Sequence, residues 1–350
     1  MTLPHSPVAL LSLARAVPHI VLPQAEAKAL ARRLFGGRAA HFDRLAGVFD
    51  NAGIDTRHIV QPVDWYVGEH GWASRNQAYV EAADALYVEA ATAALAEAGV
   101  SAAEVDTLVT VSTTGIATPS IEARVAGAMG FRADAERVPV FGLGCAGGVT
   151  GLALAARLAA AGRTVLFVTV ELCSIAIRLD KLSKANIVAT ALFGDGAAAA
   201  VLRPGEGGIA SVGAGAELLW PDTLGIMGWD VEDPGLGVVF DRAIPPFVEE
   251  NMAAGVATLL ERCGTERGAI DRFTCHPGGA KVIAALEESL ALGESALDHE
   301  RAVLRTCGNM SAPTVLFVLR RLLDAGFAGQ TMLLALGPGF TASGLTMRVG

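Results

Sequence analysis

Val140-Phe141-Gly142-Leu143-Gly144-Cys145-Ala146-Gly147-Gly148-Val149-Thr150-Gly151-Leu152 sets one thiol among glycines, with an apolar strand-like run before it and an alanine-rich helical run after it. Strand, glycine turn and helix form the repeating unit of layered α/β folds. The same order recurs on both sides. Upstream, VALLSLARAV reads as a strand, and Gln24 to Phe35 as a helix that stops at Gly36-Gly37. A long helix over 75–98 ends at Gly99, VDTLVTVSTT is a buried strand, and PSIEARVAGAMG is a helix with proline near its start. Downstream, RVPVF and the glycine turn lead into a helix to about Gly162, and TVLFVTVE and GAAAAVLR are strands.

The turn-rich RPGEGG is the best internal boundary, dividing residues 1–205 from 206–350. Beyond it come the strand GIASVGAGAEL, a segment PDTLGIMGWDVEDPGLG read as an irregular loop, and a helix from Pro246 to Cys263. The strand DRFTCH follows, then helices at 279–292 and 312–325 and the strands TMLLALG and TASGLTMRV. The pattern predicts an α/β fold of two similar halves, with a mostly parallel sheet covered by helices on both faces.

Composition narrows the function. The 350 residues are 52% hydrophobic, enough for one large or two fused cores. A net charge of −9 repels nucleic acid and anionic lipid, so nucleic-acid binding is not expected. The opening MTLPHSPVALLSLARAV lacks a signal peptide's charged segment and cleavage site, and no apolar run is long enough to span a membrane, so a soluble cytoplasmic protein is expected. Five cysteines without a C-x-x-C pair argue against a disulfide framework or zinc module.

The thiol itself admits three readings. Gly142-x-Gly144-x-x-Gly147 between strand and helix matches the dinucleotide fingerprint, with Glu171 where a ribose-binding acid sits; the glycines are also consistent with a merely structural turn. The third reading is a nucleophile. At the first turn of a helix a cysteine faces unpaired N–H groups and the positive end of the dipole, which favour the thiolate. A thiolate needs a proton partner, and His276 in Thr274-Cys275-His276-Pro277-Gly278-Gly279 stands where a strand meets a helix. Asn309, in Thr306-Cys307-Gly308-Asn309-Met310-Ser311-Ala312-Pro313, precedes another helix. Taken singly, each has an ordinary structural explanation: a loop histidine, a capping asparagine. Together they form an acyl-transfer set, with histidine and thiolate as an ion pair and two N–H donors for one carbonyl oxygen. Cys173 reads as a core strand residue and Cys263 as the end of a helix. A metal cluster of Cys275, His276 and Cys307 lacks ligand spacing.

These residues resemble the chalcone synthase family, the type III polyketide synthases, over nearly the whole chain. The motifs are GLGCAGGVTGL, ALFGDGAAAAV, CHPGGAKV, CGNMSAPTVLFVL and LALGPGFT. The resemblance implies a thiolase-like layered αβαβα fold, a homodimer, and coenzyme A thioesters as substrates, with no cofactor and no carrier protein. It implies that Cys145 is acylated, while His276 and Asn309 hold the thioester carbonyl of malonyl-CoA during decarboxylation. Phe193 would be a gatekeeper; Ser311 and the Gly337-Pro338-Gly339 loop would shape the cavity. Thr118 stands before Pro119, where plant members carry methionine at a dimer contact, and a second gatekeeper has no clear match in Leu236–Phe240. Thr113 and Thr114 are expected to face the cavity or to end a buried strand. Arg57 is a candidate for the coenzyme A phosphates, with a solvated surface role as the alternative. Rivals are a β-ketoacyl carrier-protein synthase of the initiating type, a papain-like hydrolase, an NAD-dependent oxidoreductase and a non-catalytic scaffold.

Overall fold

Strands buried along their whole length require cover on both faces, and this chain has several. In chain order the strands are β1 (Val8–Ala16), β2 (Ile20–Pro23), β3 (Thr56–Ile59), β4 (Thr107–Val111), β5 (Glu136–Val140), β6 (Val165–Leu172), β7 (Asp195–Pro204), β8 (Ala210–Leu219), β9 (Met227–Glu232), β10 (Gly235–Phe240), β11 (Arg272–Cys275), β12 (Gly329–Gly337) and β13 (Thr341–Val349). Every residue of β4 and β6 is buried. The computed structural model describes residues 7–35, 42, 45–178 and 183–350, so the expected stop at Gly36-Gly37 lies outside the described residues.

Nine strands join in the order β11-β12-β13-β8-β1-β7-β6-β4-β5. The sheet is mixed rather than mostly parallel: β11–β12, β4–β6 and β4–β5 are parallel, and the other five neighbouring pairs are antiparallel. One of these pairs is fixed by its short connection. The Pro338-Gly339-Phe340 turn between β12 and β13 can only join antiparallel neighbours. The strands of the first half meet those of the second at β1 and β8, where Leu10 pairs with Ala210.

Two helices fill the middle. Gly147–Ala160 is buried on most sides, at Gly148, Val149, Gly151, Leu152, Ala155, Ala156 and Ala159 among others. Such a helix belongs inside. It contacts β4, β6 and β7 of the first half and β8, β12 and β13 of the second. Its small residues permit this: a Cβ on Gly148 would lie 2.2 Å from the carbonyl oxygen of Ala312. Pro313–Asp324 packs beside it. The helix Trp72–Ala98 covers β1, β6 and β7 on one outer face, ending at a left-handed Gly99, while Ile244–Arg262 covers β8 and β13 on the other. The αβαβα layering follows.

Several segments depart from expectation, among them the helix Lys184–Leu192 and the pair β2–β3, which were not foreseen. The supposed loop through PDTLGIMGWDVEDPGLG contains a hairpin, β9 paired with β10 from Glu232 and Gly235 to Met227 and Phe240. Its strands are only half-buried, so their glycines and acids hide the apolar alternation. Asp298–Cys307 is a helix where none was expected, because its buried positions are only Glu300, Val303 and Leu304.

Candidate active site

After β5 the chain turns at Phe141-Gly142-Leu143, makes one 3₁₀ turn at Gly144–Ala146, and enters the helix at Gly147. Gly144 has a φ of +49° and sits against Pro338, where a Cβ would come 2.7 Å from the ring. Glycine is required on both counts. Cys145 is thereby held at the N-terminal end of the central helix.

From the second half, Ser311 borders the same cavity as Cys145, and Asn309 and Ser311 both lie near enough to the sulfur to lower its pKa. An Asx turn, Asn309 Oδ1 accepting from the Ser311 amide at 2.8 Å, fixes that geometry, and Ser311 itself takes a left-handed φ of +58°. The Asn309 backbone is pinned to the Phe193 segment, donating to Leu192 O at 2.8 Å and accepting from Gly194 N at 3.0 Å. Its Nδ2 donates to Gly278 O at 3.2 Å. Gly278 lies against the His276 ring, where a Cβ would be 3.8 Å from Nε2. Cys145, Asn309 and His276 therefore follow one another across a single cluster. Both His276 ring nitrogens are buried without a partner.

Burial governs the protonation states. It pushes the Cys145 thiol up to about 11, an effect partly offset by Ser311 and Asn309 and reinforced by Glu171. It pushes the His276 imidazole down to about 3. The helix end, about 0.3–1 kcal/mol, is the smaller influence. Burial thus opposes the charge on each group taken singly.

The cavity beside Cys145 is closed to about 30 Å³ and lined by Cys173, Phe193, Trp229, Val238, Phe240 and Pro338, among others. Phe193 packs edge-on against Trp229 and tilted against Phe240, both at 5.9 Å between centroids. The hairpin β9–β10 thus supplies the aromatic partner that could not be placed in the sequence. Gly337-Pro338-Gly339 docks on the cysteine turn, with Gly337 so close that a Cβ would meet Ala146 at 2.6 Å.

Of the two readings of Thr113 and Thr114, the buried end of a strand fits: neither lines the cavity at Cys145, and Thr114 borders a smaller one with Trp72 and Ile175. Thr113 donates its amide to Glu171 Oε2 at 3.0 Å and accepts from Gly144 N at 3.3 Å; Thr114 donates its hydroxyl to the same carboxylate oxygen at 2.8 Å. They support the site from behind. Thr118, expected at a contact between copies, is exposed on this chain and does not border the cavity at Cys145. Arg57 is only 1% exposed, and its guanidinium donates to Thr190 O, Ala191 O and Phe193 O at 2.7, 2.8 and 3.2 Å. A group spent on the last carbonyls of Lys184–Leu192 is unavailable to a phosphate. The dinucleotide reading fails as well, since Pro338 packs against Gly144 where the backbone would have to meet a pyrophosphate.

Two residues were missed or misread, and a third was read only in part. Cys173 is core as read, fully buried in the 3₁₀ turn after β6, and in addition it borders the cavity. Trp229 lay in the supposed loop. Glu171, read as a ribose acid, is fully buried behind Cys145, with burial pushing its carboxyl up to about 7. A strand ending in an acid beside a pair of threonines was the available signal. All five cysteines are free thiols. Among the described residues no group of three His, Cys, Asp or Glu is placed to hold a metal ion, and no helix is long and apolar enough to cross a membrane.

A cysteine at a helix end with an asparagine and a histidine clustered nearby is the arrangement thiol acyl transfer needs. Residues 4–205 match the N-terminal domain model of chalcone and stilbene synthases, and residues 212–349 the C-terminal domain model. The chain belongs to the chalcone and stilbene synthase family. A 1,3,6,8-tetrahydroxynaphthalene synthase of Streptomyces peucetius subsp. caesius is 40% identical over 310 residues, 85% of this chain and 81% of that one. Phloroglucinol synthase of Pseudomonas fluorescens is 28% identical, covering 93% and 96%. The crystal structure of 1,3,6,8-tetrahydroxynaphthalene synthase from Streptomyces coelicolor A3(2), a bacterial type III polyketide synthase, superposes with a TM-score of 0.92 at 29% identity, covering 97% of this chain and 99% of that one.

Proposed function

We propose that this acyltransferase is a type III polyketide synthase in which Cys145 carries the growing chain. The Cys145 sulfur attacks the thioester carbon of a starter acyl-CoA, and coenzyme A leaves as its thiol. Malonyl-CoA then loses CO2; the electrons of the broken C–C bond collect on the thioester oxygen, held by N–H groups of His276 and Asn309. The enolate carbon attacks the acyl carbon, the C–S bond breaks, and the Cys145 thiolate is released. Repetition and cyclisation release a pyrone, resorcinol or related product.

The observation that carries this reading is the gathering of Cys145 and Ser311 at one cavity with Asn309, whose amide bonds Gly278 beside two unpartnered His276 nitrogens. Burial holds His276 neutral, which leaves one ring N–H for an enolate oxygen. Apolar lining excludes the water that would protonate the enolate. The halves 1–205 and 206–350 carry the nucleophile and the His–Asn pair respectively. We place the enzyme in the cytoplasm as a homodimer that needs no cofactor and takes free coenzyme A thioesters rather than carrier-bound ones.

The test is incubation of the purified protein with malonyl-CoA, alone or with a panel of acyl-CoAs, and with carrier-bound malonate. CO2 release and cyclic products from the free thioesters are expected. Turnover of carrier-bound malonate alone, or none of either with Cys145 intact, overturns the reading.

A further inference from the structure

His276 poses a mechanical problem. Its ring makes no hydrogen bond to the protein through either nitrogen, so no side-chain contact of that kind fixes where its N–H points. The ring is placed by the backbone that carries it. On one side that backbone is secured: His276 N donates to Leu334 O of β12 at 2.7 Å, and His276 O accepts from Gly278 N at 3.0 Å. The other side faces away from the sheet, because β11 is the outermost strand beyond β12. Successive N–H groups of a strand point to opposite sides, so the Cys275 N–H, next to His276, has no strand to bond.

We infer that Glu300, held by Arg272, is the positioning residue for His276. Glu300 Oε1 accepts from the Cys275 amide at 3.0 Å, taking the place of a neighbouring strand's carbonyl. Glu300 Oε2 accepts from Arg272 at 2.9 Å, and the same guanidinium donates to Ala296 O at 2.7 Å, tying the first residue of β11 to the segment before the helix that carries Glu300. The Glu300 side chain is completely buried, and Arg272 is 17% exposed beside a cavity of about 570 Å³ on the far side of β11. A carboxylate in such a place is costly unless paired. Among the buried positions of Asp298–Cys307 it is the single polar one. A leucine would fill the same space at lower desolvation cost but would leave the Cys275 N–H unsatisfied.

The inference rests on the proposed role of His276, and the test separates the two. Glu300→Leu and Glu300→Gln are compared with the wild type, the second keeping a carbonyl acceptor for Cys275. Three quantities are measured: malonyl-CoA decarboxylation, the rate of Cys145 alkylation by iodoacetamide, and hydrogen exchange of the Cys275 amide together with the ¹⁵N resonances of the His276 ring. Glu300→Leu should lower decarboxylation at least 10-fold, leave alkylation within about 2-fold, speed Cys275 exchange at least 10-fold and shift the His276 ring resonances; Glu300→Gln should restore most of each. Unchanged exchange and ring resonances in Glu300→Leu overturn the inference, as does a Glu300→Gln variant as impaired as Glu300→Leu. Should Glu300→Leu fail to fold, Arg272→Met against Glu300→Gln carries the same comparison, and wild-type exchange behaviour in both overturns it. A wild type that does not decarboxylate malonyl-CoA refutes the role of His276 and leaves the exchange and resonance tests of Glu300 standing.

Discussion

Two buried groups next to the thiol make separable predictions. Asn309 donates to the reacting region and does not titrate, so Asn309→Ala should leave starter acylation of Cys145 intact while malonyl-CoA decarboxylation falls by roughly 10²-fold or more. Separate assays of acyl-enzyme by mass spectrometry and of CO2 release check this; equal loss of both contradicts the division of labour. Glu171 lies behind the sulfur, and its negative charge raises the Cys145 pKa. Glu171→Gln keeps an acceptor for Thr113 and Thr114 but removes that charge, so the pH midpoint of iodoacetamide inactivation should move down. The same substitution has a stability signature. A carboxyl raised from 4.5 to about 7 binds a proton in the native state that the unfolded chain has released, so the wild type loses stability as pH rises from 4.5 through 7. Below 4.5 both states are protonated and the contribution vanishes. Denaturant unfolding at pH 5 and 8 should show Glu171→Gln gaining on the wild type at the higher pH; a constant difference rejects the assignment.

At the scale of elements, the two central helices meet at a contact that leaves no room for a methyl group. An alanine at position 148 would gain up to about 1 kcal/mol of helix propensity. Its Cβ, 2.2 Å from a backbone oxygen, would force the helices apart at a cost of about 1–3 kcal/mol. The clash wins, since Ala312 cannot rotate away as a side chain could. Gly148→Ala should therefore lower both the thermal midpoint and turnover, because Ala312 follows the Ser311 that borders the cavity at Cys145; an unchanged thermal midpoint would show the helices freer than this packing implies. The hairpin β9–β10 limits the cavity through Trp229. Trp229→Ala should admit longer acyl starters or further extensions, read as heavier products by mass spectrometry, and an unchanged product series would place the size limit elsewhere.

Across the whole molecule the sheet ends at β5 on one side, and two large apolar residues stand exposed beside that edge, Phe141 at 60% and Ile116 at 51%. Both border a cavity of about 390 Å³. An open strand edge with an apolar patch invites a second copy. Phe141 is four residues from Cys145, so a partner there would also steady the cysteine turn. Light scattering should find the wild type dimeric and Phe141→Asp monomeric with reduced turnover; a monomeric wild type would refute the homodimer.

What was legible in the letters was whatever depends on near neighbours. Glycines before a helix place Cys145 at its start, apolar runs such as VLFVTVEL have no reading but a buried strand, and Gly99 stops a helix where a left-handed residue was required. The motifs around Cys145, His276 and Asn309 marked the site because each is local. What the letters left open depends on partners distant in the chain. Strand direction was misjudged because it is set by which strands meet, and the β9–β10 hairpin was overlooked because its half-exposed strands carry no regular alternation. Arg57 looks like a phosphate ligand until the carbonyls of Thr190 and Ala191 close around it. Glu300 carries no signal of its own in the letters, and only packing brings its buried carboxylate to the amide of Cys275. Propensity acts over a few residues, whereas desolvation and hydrogen-bond satisfaction are decided only once the chain has packed.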